Sequence, residues 1–245
     1  MSPSARPHRR SSPLRRALYA AVAIALGCIA LGSAQEALRL ALDLDDRARI
    51  SLSTNALACF FERSGDPWQA ERLMVEALTL ARGQADRHPI FTALNNLGAA
   101  LIGKFFLLRD TLTVEEAREP LRSAQPYVEE SVQMARAGGD AFPLVFCQGN
   151  LAEILVHLGE GDAAEPLLAE ALDLAQPHGF EAQVWRLGCT RGELLLSRGQ
   201  AQAALFAVGA GQPAARARKK SAWRIWDAPL MGSLETQARL VCPED

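Results

Sequence analysis

Two asparagines, Asn55 and Asn95, are the residues whose type and spacing most directly suggest binding chemistry, because their spacing equals that of a repeat in the sequence. A primary amide donates and accepts hydrogen bonds at once, so a pair of them could hold the backbone of an extended peptide. Two arginines, Arg63 and Arg186, could bind a carboxylate of the same ligand. The alternative is that the asparagines cap or bridge neighbouring helices and that the charged residues form a solvated face.

The sequence contains no recognisable set of catalytic or metal-binding residues. No nucleophile is paired with a base at a familiar spacing. The five cysteines are widely dispersed and include no C-x-x-C pair, which argues against a disulfide framework or a zinc site and favours a reducing compartment. The four histidines also lack metal-ligand spacing: His8, His88, His157 and His178. We therefore expect a protein that is not an enzyme and that needs no metal or other cofactor.

The elements that must position the polar residues are indicated by a repeated six-residue phrase. Residues 36–41, Glu-Ala-Leu-Arg-Leu-Ala, recur at 76–81 and 170–175 with small changes, and a degenerate copy lies at 130–135. The first and last steps between copies are equal and the middle step is longer, and a period of roughly 40 residues is typical of helical-repeat arrays. Because apolar residues make up 49% of the chain and aromatic residues only 6%, helices packed through small side chains are favoured over a sheet. The sequence therefore predicts an all-α repeat fold.

Small residues recur with the same spacings, at Ala58, Gly98, Ala152 and Gly192. Twelve residues after three of these come Ala70, Ala164 and Ala204. Small side chains at both places would let two antiparallel helices approach closely. Between the helices of a pair, Asp66 and Asp162 are expected to be N-caps, with Pro67 at the first helical position. The pattern thus predicts helix–turn–helix units, one of them with helices over 51–63 and 67–82.

The longer step, from residue 76 to residue 130, contains an insertion of fourteen residues, which falls within 99–123. Thr113 and Glu116 have the spacing of a capping box that opens a helix running to about Ala137. Because Pro120 and Pro126 lie inside this helix, a kink or a split is expected there. Longer helices or a protruding loop would both accommodate the insertion. Insertions on one face of an array often diversify binding.

The N-terminal region allows two interpretations. Residues 1–13 are basic and are expected to be disordered. Residues 17–32 are uncharged and apolar and are followed by small residues, as in a secretory signal, but they are few for a membrane span. The repeat register instead makes residues 14–30 a first helix that packs against the helix containing residues 36–41. We expect that buried helix and a cytoplasmic protein; export or membrane anchoring through residues 9–34 is the alternative.

The repeat pattern fails after about residue 205. A fifth phrase is due at residue 210, where the chain reads Ala-Gly-Gln-Pro-Ala-Ala. The basic cluster 216–220, with Trp223 and Trp226, could contact phosphate and stack on bases. A net charge of −2 gives no general attraction for nucleic acid, however, and a short basic run is more often solvated. We therefore expect the array to span 14–211, residues 212–245 to be a linker and poorly ordered tail, and nucleic acid not to be a partner.

Helix–turn–helix units with small residues at these offsets resemble tetratricopeptide repeats (TPR). The repeat pitch and residues 93–98, Ala-Leu-Asn-Asn-Leu-Gly, are similar to the longer-helix variety found in kinesin light chains and bacterial signalling proteins. Residues 36–205 also resemble the repeat region that precedes the catalytic domain in some bacterial diguanylate cyclases of the GGDEF type. The chain departs from the TPR pattern at Arg191, where leucine is usual, and in the insertion. The resemblance implies a right-handed superhelix, a solenoid of about five helix pairs, whose concave wall consists of the first helix of each pair.

Such a superhelix is expected to bind a protein or peptide along a groove rather than a small molecule in a deep pocket. Asn55 and Asn95 would then stack on one wall of the groove. The full set of positions that the resemblance implies to face the groove is Asn55, Cys59, Arg63, Thr92, Asn95, Ala99, Glu153, His157, Arg186, Cys189 and Glu193.

Two short motifs come close to known signatures and fail in their context. Residues 138–142, Gly-Gly-Asp-Ala-Phe, nearly match the diguanylate cyclase signature, but Ala141 stands where an acid is required. The pattern also places this motif at a turn between helices rather than in an α/β domain. Residues 209–214 fit the G-x-G-x-x-A fingerprint of dinucleotide-binding domains, but the stretch 215–245 is too short for the rest of such a domain.

The sequence as a whole predicts a non-enzymatic TPR-like scaffold that binds a protein or peptide, as the sensing or docking module of a bacterial signalling system. One alternative is a regulatory fragment of a diguanylate cyclase whose catalytic domain is not in this chain. A second alternative is an exported scaffold protein of the cell envelope. Gene context separates the first two hypotheses, and cellular fractionation tests the third.

Overall fold

The computed structural model describes residues 29–84 and 86–210, and every regular element in these ranges is an α-helix. The chain divides into two compact units, Met1–Ala85 and Asp86–Asp245. The helices of the first unit are α1 (29–43, as far as it is described), α2 (Arg47–Arg63) and α3 (Pro67–Arg82). Those of the second unit are α4 (Arg87–Leu108), α5 (Val114–Gly138), α6 (Ala141–Leu158), α7 (Gly161–Ala175), α8 (Glu181–Ser197) and α9 (Ala201–Ala210). The predicted all-α class and helical-repeat character are confirmed.

Several predicted segments lie outside the described residues. They are the basic segment 1–13, most of the apolar run 17–32, the basic cluster 216–220 and the tail 212–245. Only the first two residues of the 209–214 motif are described, as the end of α9. The predictions made for these segments stay predictions.

The first described helix runs unbroken from residue 29 to residue 43, through Gly32 and the phrase 36–41. Residues 29 and 30 therefore belong to the same helix as the phrase, so the predicted partner helix 14–30 is wrong at its end. The rest of that predicted helix lies outside the described residues. Ala41, the last residue of the phrase, is 2% exposed, whereas Leu40 is 47% exposed, so this copy is buried only in part.

In the first unit, α2 and α3 form a hairpin around small side chains. Pro67 is the first residue of α3, and the Asp66 carboxylate caps the helix by accepting from the backbone N–H of Gln69, as predicted. Ala58 and Ala70 are fully buried. Because small side chains let the backbones approach, the Ser51 hydroxyl can donate to the Ala77 carbonyl of the facing helix at 2.8 Å.

The second unit contains three further hairpins, α4–α5, α6–α7 and α8–α9. The second helix of one pair packs against the first helix of the next pair, as α5 does on α6 and α7 on α8. The first helices also contact one another, α4 with α6 and α6 with α8. The three first helices therefore form a continuous layer, and their side chains can meet across it.

Two helices of this layer, α4 and α6, are long and apolar enough to span a membrane by length and composition alone. Among the described residues, α4 packs against α5 and α6, and α6 packs against α4, α5, α7 and α8. About half of each apolar segment is buried inside the protein, 44% in α4 and 50% in α6. Helices that pack on more than one side are commonly apolar on more than one side.

The insertion lengthens the two helices of one pair and adds no protruding loop. At 22 residues, α4 is five longer than α2, and at 25 residues α5 is nine longer than α3. Together these extensions, of five and nine residues, account for the whole insertion of fourteen. The predicted capping box is present, since Thr113 and Glu116 each hydrogen-bond the other's backbone N–H.

Of the kink or split predicted at Pro120 and Pro126, the split does not occur, because α5 is continuous through both. Each proline removes one backbone hydrogen bond from the helix. A buried stripe that includes Leu121, Ala124 and Val128 continues past both positions and stabilises the helix by packing.

The prediction that Asp162 is the N-cap of α7 is wrong. The helix begins at Gly161, one residue before Asp162, so Asp162 lies in its first turn. The carboxylate of Asp162 instead accepts from Arg198 Nη2 at 2.7 Å, and Glu165 accepts from Nη1 of the same guanidinium at 2.7 Å. Arg198 follows α8, so these contacts join two successive pairs of the array.

Glycines on the first helices allow close contact within a pair. A Cβ added at Gly98 would overlap with Val128 Cγ2 of α5. At Gly192 it would lie 2.7 Å from Val208 Cγ2 of α9, and at Gly188 it would lie 2.8 Å from the Ala207 carbonyl oxygen. The small-residue positions read from the sequence are therefore contact points between paired helices.

Candidate functional site

The structure brings five of the predicted site residues onto one layer of helices in the second unit. Asn95 lies on α4, Glu153 and His157 lie on α6, and Arg186 and Glu193 lie on α8. Four of these side chains belong to two clusters along the layer. One cluster surrounds Asn95 and Arg186, and the other surrounds His157 and Glu193.

A chain of hydrogen bonds crosses all three helices at the first cluster. Arg186 Nη2 donates to Asn150 Oδ1 at 2.8 Å, and Asn150 Nδ2 donates to Asn95 Oδ1 at 3.3 Å. We call these three residues the amide relay. Every donor in it points the same way, from the cation on α8 toward the amide on α4. Since hydrogen bonds in series polarise one another, the guanidinium strengthens the donor character of the last amide.

The free end of the amide relay is a hydrogen-bond donor. Asn95 Oδ1 already accepts from Asn150 and from Cys147 Sγ, the latter at 3.4 Å. The Nδ2 group of Asn95 donates to no residue in the part of the chain that the structure describes, and Asn95 is only half-buried. A ligand group that pairs with Asn95 must therefore be an acceptor, such as a peptide carbonyl or a carboxylate.

Arg186 reaches Asn150 through a gap left by a glycine. A Cβ at Gly149 would lie 2.7 Å from Arg186 Nη2. The guanidinium also lies over the Phe146 ring, 5.0 Å from its centroid, and donates to the Phe146 carbonyl at 3.4 Å. These contacts fix the position of the cation, since a guanidinium is attracted to the face of an aromatic ring.

Cys147 lies beside the amide relay and is fully buried. Burial raises the pKa of its thiol above the usual range, although a hydrogen bond with Ser131 and the nearby charge of Arg186 act in the opposite direction. The thiol therefore stays protonated at neutral pH, as its donation to Asn95 requires.

The second cluster lies where α6 ends. His157 Nε2 is 3.2 Å from Glu193 Oε2, and each side chain is only 14% exposed. The imidazole contacts the rings of Phe105 and Phe106, with centroids at 4.8 and 5.2 Å. Both phenylalanines lie in the last turn of the lengthened α4. The insertion therefore supplies part of the wall around His157.

The remaining predicted site residues are distributed over both units. Glu153 is half-buried on α6 between the clusters, and Thr92 and Ala99 are half-buried on α4. Cys189 is only 3% exposed, so it belongs to the packed interior of α8 rather than to an open surface. In the first unit, Cys59 is half-buried and Arg63 is exposed.

Asn55 differs from Asn95 in its surroundings. It is only 5% exposed, on the buried face of α2 that also carries Ser51, Thr54 and Ala58. Its Oδ1 accepts no hydrogen bond from the described residues. Asn55 is therefore a buried polar residue in this structure, whereas Asn95 keeps an accessible donor.

Sequence reasoning missed Asn150, which completes the amide relay, and Gly149, which leaves room for Arg186. A signal was present, because Asn150 occupies the position that corresponds to Asn96 one long repeat step earlier. Within residues 29–84 and 86–210, no group of three or more His, Cys, Asp or Glu side chains is arranged to hold a metal ion.

Known structures with the same fold include BtubC (BKLC) from P. vanneervenii. It is 19% identical to this chain, the match covers 88% of this chain and 82% of that one, and the TM-score is 0.60. No protein-family model matches the chain, and no curated protein matches it. At this identity, the likeness establishes a shared helical fold and carries no information about the ligand.

Proposed function

We propose that this protein is a non-enzymatic, TPR-like scaffold that binds an extended peptide segment across α4, α6 and α8. The proposal includes the right-handed superhelix implied by the sequence resemblance. The observation that carries it is the amide relay, which ends at an accessible donor on Asn95. A donor held in place by buried partners loses little side-chain freedom on binding, so it suits recognition of a backbone carbonyl or carboxylate.

Two features of the layer support a ligand that is extended rather than compact. The amide relay and the His157–Glu193 cluster are separate polar groups on the same three helices. Arg186 and Glu193 lie seven residues apart on α8, a distance of about 10 Å along the helix. A ligand that reaches both clusters must therefore span several residues of an extended chain.

The proposal is tested by changing one atom of Asn95. In Asn95→Asp the Oδ1 acceptor for Asn150 is kept, but the outward Nδ2 donor becomes a second acceptor. We expect binding of peptides selected from a display library to weaken by roughly tenfold or more, because one hydrogen bond is lost and two acceptors then oppose each other. Fluorescence anisotropy with labelled peptides measures the affinity.

Gln202→Glu is the matched control, since it makes the same amide-to-carboxylate change on the exposed surface of α9. It should leave the affinity unchanged. If Asn95→Asp binds the selected peptides as tightly as the unaltered protein, the ligand does not pair with the amide relay. If the library yields no peptide at all, the proposal that this layer binds extended chains is wrong.

We also propose that the scaffold is cytoplasmic and serves as a sensing or docking module in bacterial signalling. The support is the sequence resemblance to repeat regions of signalling proteins. An adjacent reading frame that encodes a GGDEF-type domain would favour the regulatory fragment of a diguanylate cyclase instead. A mature chain that begins near Gln35 in cells would show export and contradict the cytoplasmic location.

A further inference from the structure

Four rings lie together where α6 and α8 begin. Phe142 and Phe146 belong to the first turns of α6, Phe180 directly precedes α8, and His178 lies in the turn between α7 and α8. The ring centroids are 5.2 Å apart for Phe142 and Phe180, 6.5 Å for Phe142 and Phe146, and 5.3 Å for His178 and Phe180. We call these four side chains the aromatic patch. Because Phe142 is 48% exposed, the patch offers apolar ring surface to a ligand.

Contacts within the aromatic patch hold its rings in place. Phe142 and Phe180 meet edge to face, at an interplanar angle of 88°, which is a favoured arrangement for two aromatic rings. The His178 ring stacks on Phe180, and its Nδ1 is hydrogen-bonded at 2.8 Å to a backbone carbonyl at the end of α7. The Arg186 guanidinium lies over the Phe146 ring. Since these contacts already restrict the rings, a ligand that packs on them costs little further side-chain entropy.

The aromatic patch is continuous with the amide relay. Phe142, Phe146 and Asn150 follow one another at intervals of four residues, so they share one face of α6. Arg186 joins the two features directly, because its guanidinium contacts both the Phe146 ring and Asn150 Oδ1. Phe146 and Phe142 therefore lie one and two turns from the relay, about 6 and 12 Å along the helix. A ligand that pairs with the relay can also reach the rings.

The amide relay offers a ligand a donor but no acceptor. Asn95 Oδ1 already accepts from Asn150 and from Cys147. Asn150 Oδ1 accepts from Arg186, and Asn150 is only 1% exposed. An ordinary peptide brings an N–H with every carbonyl, and an N–H that is buried without an acceptor is unfavourable. Proline brings a carbonyl and no N–H, so a proline-rich segment suits this site better than an ordinary one.

We propose that the segment bound across α4, α6 and α8 is rich in proline and adopts the polyproline II conformation. A backbone carbonyl of the segment accepts from Asn95, and its proline rings pack on the aromatic patch. This inference rests on the proposed function, because it names the chemistry of the peptide that the layer binds. Polyproline II has no internal hydrogen bonds, so its carbonyls stay available, and it docks on aromatic side chains. It rises about 3.1 Å per residue, so roughly four residues cover the distance from Asn150 to Phe142.

The direct test uses fluorescein-labelled decaproline as the probe. A labelled glycine–serine peptide of the same length is the comparison, since it has an N–H at every residue and no rings. We expect the unaltered protein to bind decaproline at least about tenfold more tightly than the glycine–serine peptide, as measured by fluorescence anisotropy. Equal affinities for the two peptides, or no binding of decaproline at millimolar concentrations, would overturn the proposal.

Truncating one ring tests whether the aromatic patch is the contact. Phe142→Ala should weaken the binding of decaproline by about tenfold, because it removes an exposed ring on which a proline packs. Phe206→Ala makes the same change on α9, where Phe206 is 80% exposed, and should leave the affinity unchanged. Phe142→Trp keeps an aromatic surface and should keep the binding, which guards against a loss caused by misfolding. If Phe142→Ala binds decaproline as tightly as the unaltered protein, the aromatic patch is not the contact.

Peptides selected from a display library separate this inference from the proposed function. We expect those that bind the unaltered protein and depend on Asn95 to be enriched in proline. If such peptides are found but carry no excess of proline, or carry aromatic residues in its place, the ligand is an ordinary extended peptide. The proline-rich assignment is then wrong, while the proposed function stands. If the library yields no peptide and decaproline does not bind, both are wrong.

Discussion

Replacing Gly98 with alanine is expected to lower the free energy of unfolding by about 1–3 kcal/mol. The added Cβ would overlap with Val128 Cγ2 of α5, and Val128 is fully buried. A valine has no long flexible end that could swing aside, so the helices of the pair must separate or Val128 must leave its preferred rotamer. Urea unfolding followed by far-ultraviolet circular dichroism measures the loss.

Gly103→Ala is the matched control, because it makes the same change in the same helix. No atom lies within 4 Å of a Cβ added at Gly103. This variant should stabilise the protein by about 0.5–1 kcal/mol, since alanine favours helix more than glycine does. Val128→Ala should also recover part of the stability that Gly98→Ala removes, because it takes away the overlapping methyl groups. If both glycine variants change the free energy of unfolding alike, helix propensity alone determines the change, and the contact with Val128 does not contribute to it.

The helical pairs could be predicted from the sequence because each repeat carries the same local signals. The phrase at 76–81 gives the buried face of α3, and Ala58 and Gly98 give the points of closest approach. Asp66 with Pro67, and Thr113 with Glu116, give the helix starts, since caps involve residues close in sequence. These signals lie within a few residues of the feature that they predict.

The predictions that were wrong concern places where contacts with residues distant in sequence determine the local structure. Asp162 has the type of an N-cap, but Arg198, 36 residues later, binds its carboxylate instead. The prolines in α5 suggested a kink or a split, and the split is absent because the helix is covered along one face by packing that the local sequence does not reveal. Local propensity is a weak prior that tertiary contacts override.

The sequence predicted which helices carry the candidate site residues, but it did not predict the hydrogen bonds between them. Repeat spacing placed Asn95, His157 and Arg186 on first helices, where the structure has them. It could not show that Asn95 Oδ1 is already occupied, because that depends on Asn150 and Cys147 on the next pair. Asn95 was expected to donate and to accept, but the structure leaves only its donor open. Periodicity locates a face of a helix, whereas hydrogen-bond partners depend on how two helices approach each other.

Two buried amides on α6 should respond to the same substitution in opposite ways. Asn150 is 1% exposed and joins Arg186 to Asn95, whereas Gln148 is fully buried and neither of its amide atoms has a hydrogen-bond partner among the described residues. Asn150→Leu should lower the free energy of unfolding by about 2–3 kcal/mol, because it removes the acceptor of a cation and leaves Asn95 with one donor fewer. Gln148→Leu should instead raise it by about 1 kcal/mol, because a buried amide without partners is replaced by an apolar side chain.

The comparison isolates hydrogen bonding, because both variants exchange a buried amide for leucine two residues apart in one helix. Chemical unfolding at neutral pH gives both free energies, and equal slopes with denaturant would show that the unfolded states are alike. The affinity of Asn150→Leu for selected peptides should also fall, since Asn95 is then no longer held or polarised through Arg186. A neutral effect of Asn150→Leu on both stability and binding would mean that the amide relay neither joins the three helices nor prepares Asn95 for a ligand. A loss of stability in Gln148→Leu would mean that its amide has partners, such as a buried water, that make it part of the polar interior of α6.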